Sequence, residues 1–326
     1  MVRIGILGTA RIAPLYFGGL LRHAQFVAVA SRSADRAAGF AERHGLGRWH
    51  DSYDALIEDP GVDALYIPLP NHMHAEYAIR AVRAGKHVLV EKPAALTSAD
   101  FRRMTEASTS AGVLLMEAMM WRFKRIHRRV LELVRGGSLG DLRHVDFHWC
   151  YPLRALDRGA FRLDPACGGG ALNDVGVYGV DFLHQLMGGE LEVRYAAMER
   201  EEEGGVDLFT HALLASKGAT ATLTCGYTSD ANYYVLACEK GMIHVPGSVA
   251  GRVVENRALM HRIDGDDRSE ERFAAENPYH ALLDHFAACV LGKETPMITP
   301  EETGQNLDLL GRIREAEVTL RSASGR

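Results

Sequence analysis

No two cysteines in the chain are spaced C-x-x-C, and the five present (Cys150, Cys167, Cys225, Cys238 and Cys289) are odd in number. That pattern speaks against a disulfide framework and a cysteine zinc site, and predicts reduced thiols in a cytoplasmic protein. The one H-x-H, His72 and His74, has no cysteine or carboxylate following at ligand spacing, so no metal is expected. No apolar run reaches the roughly 18 residues that span a bilayer, so no membrane partner is expected. The opening MVRIGILG lacks a charged stretch ahead of a long apolar one, which predicts a chain without a secretory leader. There is no basic stripe with interleaved aromatics, and the formal net charge is −5, so nucleic acid is not an expected partner.

What is present fits a soluble globular protein. The chain has 326 residues, 47% hydrophobic and 24% charged, enough for two domains with separate cores. The first 120 or so residues alternate strand and helix signals, with short apolar runs at IGIL (4–7), FVAVA (26–30), ALYI (64–67), HVLV (87–90) and VLLM (113–116). Between the third and fourth, Ala75, Ala78, Ile79 and Val82 repeat at helical spacing and Gly85 stands where a C-cap belongs. Strands alternating with helices imply a parallel sheet covered on both faces.

After about residue 123 the texture changes. DLRHVDFHW (141–149), ATATLTCGYT (219–228) and parts of YVLACEKGMIHV (234–245) alternate as strands of a mostly antiparallel sheet, with helices near 170–187 and 278–291. Thr299, Pro300 and Glu302 start a closing helix whose apolar stripe is Leu309, Ile313, Ala316 and Leu320. MEREEEGG (198–205) and IDGDDRSEER (263–272) read as solvated loops and the tail RSASGR as frayed.

Ligands of an open parallel sheet bind outside the carboxyl ends of its strands. The residues after each apolar run are therefore the informative ones. GTARIA (8–13) follows the first and occupies the place of G-x-G-x-x-G, with Gly8 kept and Ala10 and Ala13 in the later positions. Backbone N–H groups of Gly8, Thr9, Ala10, Arg11 and Ile12 ahead of a helix would attract a pyrophosphate; alone, the segment also fits a plain strand-to-helix turn. Ser31, Arg32 and Ser33 follow the second run. No acidic residue stands there for a ribose 2′-hydroxyl, and an arginine between serines suits a 2′-phosphate, so NADP is the expected cofactor and NAD the alternative. Pro70, Asn71 and His72 follow the third run, Glu91 and Lys92 the fourth, Glu117 the fifth.

LVEKPAALT (89–97) ends an apolar strand on a carboxylate, an amine and a proline. Lys92 at that edge can hydrogen-bond a substrate oxygen, Glu91 can hold its ammonium, and Pro93 restricts Lys92 to extended backbone. An ordinary surface ion pair would look the same locally. A second stretch, FRLDPACGGGALNDVGVYGVD (161–181), joins a glycine turn to a helix with Leu172, Val175, Gly179, Phe182 and Leu186 on one stripe. Asp174 and Tyr178, at i and i+4, share another face, where a carboxylate beside a phenol can act as an acid/base pair. A surface Asp–Tyr pair is the plain alternative.

GILGTARIA, PNHMH, VEKP, LMEAMMWRF and GGGALNDVGVY occur in this order, and together they resemble the glucose–fructose oxidoreductase/inositol dehydrogenase/rhizopine catabolism family. The resemblance covers residues 4 to about 187, and the later strands fit the same plan. It implies an α/β Rossmann domain (1–122) followed by an α+β domain built on an open, mostly antiparallel sheet (123–326). It implies NAD or NADP, a catalytic lysine at Lys92, and a catalytic aspartate and tyrosine at Asp174 and Tyr178. Pro70, Asn71, His74, Glu91, Lys92 and Arg122 are implied at the cofactor, and Trp121 and Arg162 at the substrate. EAMMWRF (117–123) is similar to the branch of dihydrodiol, xylose and anhydrofructose dehydrogenases, which implies a sugar, polyol or cyclic diol as the small-molecule substrate. Two departures stand out: Ala10 replaces the usual second glycine, and KRIH (124–127) replaces the histidine-proline that often follows in that branch. A glycosidase-like enzyme that holds NAD throughout and a non-catalytic nucleotide-binding regulator are the rival readings. The open face of the second sheet predicts a homodimer or homotetramer.

Overall fold

The computed structural model describes residues 1–18, 21–153, 160–247, 256–262 and 268–320. The chain divides into two compact units, Met1–Met120 with Tyr279–Gln305, and Trp121–Pro278 with Asn306–Arg326. Tyr279–Gln305, expected in the second domain, packs with the first unit. Tyr279 meets Tyr16 edge-on with ring centroids 5.0 Å apart, and Asp284 accepts the N–H groups of Arg22 and His23 at 2.8 and 2.7 Å.

In the first unit, strands β1 (Val2–Leu7), β2 (Ala24–Ala30), β3 (Arg48–His50), β4 (Ala64–Ile67), β5 (His87–Val90) and β6 (Leu115–Glu117) alternate with helices α1 (Ala34–His44), α2 (Tyr53–Ile57), α3 (His74–Arg83) and α4 (Ser98–Ala111). All five strand pairings are parallel, in the order β3-β2-β1-β4-β5-β6. Ile4, Ile6, Leu65, Tyr66, Val88 and Leu89 are fully buried, as expected of strands covered on both faces. The order reverses between β1 and β4, the point at whose carboxyl end open parallel sheets bind their ligands. β3 gave no sequence signal because its three residues, RWH, form an exposed edge. β6 begins later than the run VLLM, so Glu117 ends the strand instead of following it.

The second unit opens with α5 (Arg125–Arg135) and β7 (Leu142–Cys150). A five-residue π turn, Leu172–Gly176, runs into α6 (Val177–Met187). Seven further strands follow: β8 (Glu192–Arg200), β9 (Asp207–Ser216), β10 (Ala219–Gly226), β11 (Ala231–Cys238), β12 (Gly241–Pro246), β13 (Asn256–Arg262) and β14 (Arg268–Phe273). Then come α7 (Pro278–Val290), α8 (Pro300–Glu315) and β15 (Glu317–Leu320). The nine-stranded sheet runs β14-β13-β12-β11-β7-β10-β9-β8-β15. It is mostly antiparallel, but β7–β10 and β8–β15 pair in parallel. Three expectations change here. Residues 268–272, expected as loop, lie in β14, and 263–267 fall outside the described residues. β8 takes in the first three residues of MEREEEGG. Leu320 belongs to β15, because the closing helix stops at Glu315; the tail RSASGR lies outside the described residues. That helix does start in a capping box, with Thr299 N–H to Glu302 at 3.0 Å and Glu302 N–H to Thr299 at 3.2 Å.

α6 lies against the sheet through Gly179, where an added Cβ would stand 2.3 Å from Leu223 and 2.7 Å from Phe147. Gly179→Ala is expected to lower the unfolding free energy by about 1–3 kcal/mol through overpacking. Urea denaturation checks this, and an unchanged midpoint would contradict the close approach.

Candidate active site

The carboxyl ends of the parallel strands gather most of the predicted cofactor residues. Gly8 leaves β1 at φ +108°, and a Cβ there would stand 3.0 Å from Leu69, so the loops after β1 and β4 touch. The expected helix after GTARIA is only a four-residue 3-10 turn, Ala13–Tyr16, too short to act as a helix dipole. The fit to a phosphate comes from the turn itself. Among the described residues, the N–H groups of Thr9, Ala10 and Ile12 have no hydrogen-bond partner, and they directly follow the strand end. A bound pyrophosphate would satisfy them.

After β2, Ser33 caps α1 by accepting the Arg36 N–H at 3.4 Å, and the Ser31 hydroxyl accepts the Ser33 N–H at 3.3 Å. The two serines shape the turn. Arg32 between them is exposed and, among the described residues, makes no hydrogen bond or ion pair. After β4, Pro70 caps a three-residue turn, Asn71–Met73. His74 departs from its expected place at the cofactor: its ring is fully buried, and Nδ1 and Nε2 each lie 2.8 Å from a backbone carbonyl, of Pro93 and Leu69. Two carbonyls favour the doubly protonated ring, but burial outweighs them and lowers its pKa to about 4.

β5 ends on Glu91. Its buried carboxylate accepts the phenols of Tyr66 at 2.7 Å and Tyr16 at 3.1 Å, and the backbone N–H of Lys92 at 3.3 Å. Burial pushes its pKa up, against the pull of Tyr66 and the Lys92 charge. Lys92 is half-buried, and its bond to Pro93 is cis. Glu117, also buried, accepts the Ala94 N–H at 2.9 Å and the Thr303 hydroxyl at 3.3 Å.

In the second unit, Asp174 sits in the π turn, an insertion that often marks functional sites. Its Oδ2 accepts from Tyr151, from Arg162 Nε at 3.0 Å and from Tyr227 at 3.4 Å. Tyr151 and Tyr227 each come one residue past the end of β7 or β10, whose parallel register pairs Cys150 with Gly226. The Tyr178 ring is 5% exposed and tilts onto Trp149 at 4.8 Å. Arg162 also covers the Phe161 ring at 4.6 Å. The glycine turn is needed where it stands, since a Cβ on Gly169 would lie 2.4 Å from the Arg162 carbonyl.

Two predicted contacts are placed elsewhere. Arg122, expected at the cofactor, is buried in a two-pronged ion pair with Asp181, with Nε to Oδ2 at 2.9 Å. Asn306 donates to the same carboxylate at 2.8 Å. Trp121, expected at the substrate, is fully buried against His127 and Phe182. Sequence reading missed Tyr16, Tyr66, Tyr151 and Tyr227; only Tyr151 carried a signal, as a tyrosine just past the run DLRHVDFHW, whereas Tyr227 lies inside the run ATATLTCGYT. Among the described residues no group of three His, Cys, Asp or Glu side chains could hold a metal ion, and no helix is long and apolar enough to cross a membrane.

An open parallel sheet reversing between β1 and β4, with unpaired N–H groups directly after β1, is the architecture of the Rossmann class of nucleotide-binding domains. Residues 2–119 match the profile of the GFO/IDH/MocA oxidoreductase family, NAD-binding Rossmann fold, and residues 127–244 match the GFO/IDH/MocA C-terminal domain. The chain belongs to this family and is an NAD(P)-dependent oxidoreductase. It is 39% identical over 299 residues to dTDP-3,4-didehydro-2,6-dideoxy-alpha-D-glucose 3-reductase of Streptomyces violaceoruber, covering 89% of this chain and 85% of that one. It is 32% identical to D-xylose 1-dehydrogenase (NADP(+)) 2 of Haloferax volcanii, covering 97% of both. A 3-ketoreductase from Actinomadura kijaniata, crystallised with NADP and TDP-benzene, superposes with a TM-score of 0.90 at 30% identity over 98% of each chain.

The depressed pKa of His74 has a testable sign. The ring stays neutral in the fold down to about pH 4 but takes up a proton near 6.5 when unfolded. Its contribution is therefore fully present above about pH 6.5 and is lost as pH falls toward 4, by up to about 3 kcal/mol. Wild type should lose that much more stability than His74→Phe between pH 7.5 and 4.5 in denaturant titrations. Equal losses would contradict a buried neutral ring.

Proposed function

We propose that the protein is an NADP-dependent dehydrogenase or reductase interconverting a hydroxyl and a carbonyl on a sugar, polyol or cyclic diol. The observation that carries the reading is Lys92, set at the end of β5 on the same sheet edge as the free N–H groups after β1. The exposed Arg32 after β2 favours NADP through its fit to a 2′-phosphate. The named relatives act on a dTDP-sugar and on xylose, which supports a carbohydrate substrate.

A nicotinamide cofactor held at the carboxyl ends of the parallel strands would supply or accept the hydride. Tyr178 exchanges the proton of the substrate oxygen at its phenol. Lys92 would polarise that oxygen by hydrogen bonding. Asp174, oriented by Arg162 and Tyr151, accepts a hydrogen bond from a neighbouring substrate hydroxyl, and Tyr227 flanks the same carboxylate. The five free thiols support a reducing, cytoplasmic setting.

The test is reduction of NADP, with NAD in parallel, across aldoses, inositols, trans-diols and dTDP-sugars, with keto forms assayed in reverse. Turnover with NADP on one carbohydrate class is expected. Lys92→Met should abolish it while NADPH still binds; retained turnover would remove the lysine's role, and silence across the panel in both directions would contradict the reading.

Self-association through the second sheet belongs to the same proposal. Opposite α6, its central strands present His144, Asp146 and His148, then Thr220, Thr222 and Thr224, then Phe209, His211 and Leu213, then Tyr233, Val235 and Ala237. None is lysine, arginine or glutamate, and the one aspartate is bonded to Thr222 at 2.8 Å. A half-buried face without long charges suits a second copy of itself. Light scattering should give a dimer or tetramer, and Val235→Arg should reduce that mass; a monomeric wild type would contradict the assignment.

A further inference from the structure

Three successive backbone groups at Lys92 are each engaged by a different buried side chain. The Lys92 N–H donates to Glu91 at 3.3 Å, the Pro93 carbonyl faces His74 Nδ1 at 2.8 Å, and the Ala94 N–H donates to Glu117 at 2.9 Å. The three side chains come from the end of β5, the start of α3 and the end of β6. Each is held in turn by a further partner: Glu91 by Tyr16 and Tyr66, His74 by the Leu69 carbonyl, and Glu117 by Thr303 of α8. Moving the loop would strand buried polar groups, so the network resists displacement as a unit.

We propose that His74 and Glu117, together with Glu91, are positioning residues that clamp the backbone of residues 92–94 and so set the direction of the Lys92 side chain. The inference rests on the catalytic assignment of Lys92 above. It gives His74 and Glu117 a part in the reaction without contact to cofactor or substrate.

Glu117→Leu removes the acceptor for the Ala94 N–H, while Glu117→Gln retains a carbonyl oxygen for it. The Leu variant should lose about 100-fold in kcat, the cost of a small misplacement of a catalytic group, with NADPH affinity changed less than about threefold. The Gln variant should recover most of that loss. Amide hydrogen exchange at Ala94 on the intact protein gives a readout independent of turnover: faster in the Leu variant, near wild type in the Gln variant. Should Glu117→Leu fail to fold, His74→Phe replaces it with the same two measurements. Unchanged exchange at Ala94 overturns the clamp, as does faster exchange with unchanged kcat in an enzyme that Lys92→Met inactivates. If Lys92→Met itself retains turnover while exchange at Ala94 rises, the clamp on the loop stands and the catalytic assignment of Lys92 falls.

Discussion

The burial of the Glu91 carboxylate is the constraint on which the first unit depends. A carboxyl group taken out of water at the end of a parallel strand costs several kcal/mol unless hydrogen bonds replace its hydration. Here the replacements are two phenols and a backbone N–H. Tyr66 comes from β4, and Tyr16 from the turn after β1, so one carboxylate ties together the ends of the strands that flank the reversal of sheet order. Tyr16 in turn supports Tyr279. This aromatic contact and the Asp284 carboxylate at Arg22 and His23 join Tyr279–Gln305 to the first unit.

The second unit repeats the device with a different outcome. Asp174 is also met by two phenols, Tyr151 and Tyr227, but it adds Arg162 and lies at an intermediate exposure. A parallel pair inside a largely antiparallel sheet makes this arrangement, because only parallel register carries the ends of β7 and β10 to the same edge. Glu91 is enclosed and holds backbone. Asp174 keeps partial access to solvent and can hold a hydroxyl. The difference in burial separates a structural carboxylate from one suited to chemistry.

Much of the first unit was legible because its strands are short, apolar and bounded by polar turns; β4 and β5 coincide with the runs ALYI and HVLV. The Rossmann class, the antiparallel second sheet and the family followed from those runs and the order of the motifs. Less legible were elements with no apolar run, such as the exposed β3 and β14. Pairing across long separations was invisible too: nothing local in Arg122 announces Asp181, and nothing in His74 announces the Pro93 carbonyl. A histidine near a nucleotide edge and one stapling two loops have the same neighbours in sequence. The closing helix shows the limit in another way, since its capping box was readable and its last turn was not, because Glu317–Leu320 joins the sheet beside β8.

The chemistry proposed for this scaffold is net transfer of a hydride between a nicotinamide and a carbohydrate carbon. A dinucleotide held only for transient oxidation and re-reduction would need the same edge and much the same groups, so the fate of the hydride separates the two. The most direct measurement is a single turnover with NADPH carrying deuterium at the transferable C4 position and a keto sugar that the enzyme reduces. The account predicts oxidised cofactor and one deuterium on the carbon that bears the new hydroxyl. Substrate converted with the deuterium still on reduced cofactor would contradict it.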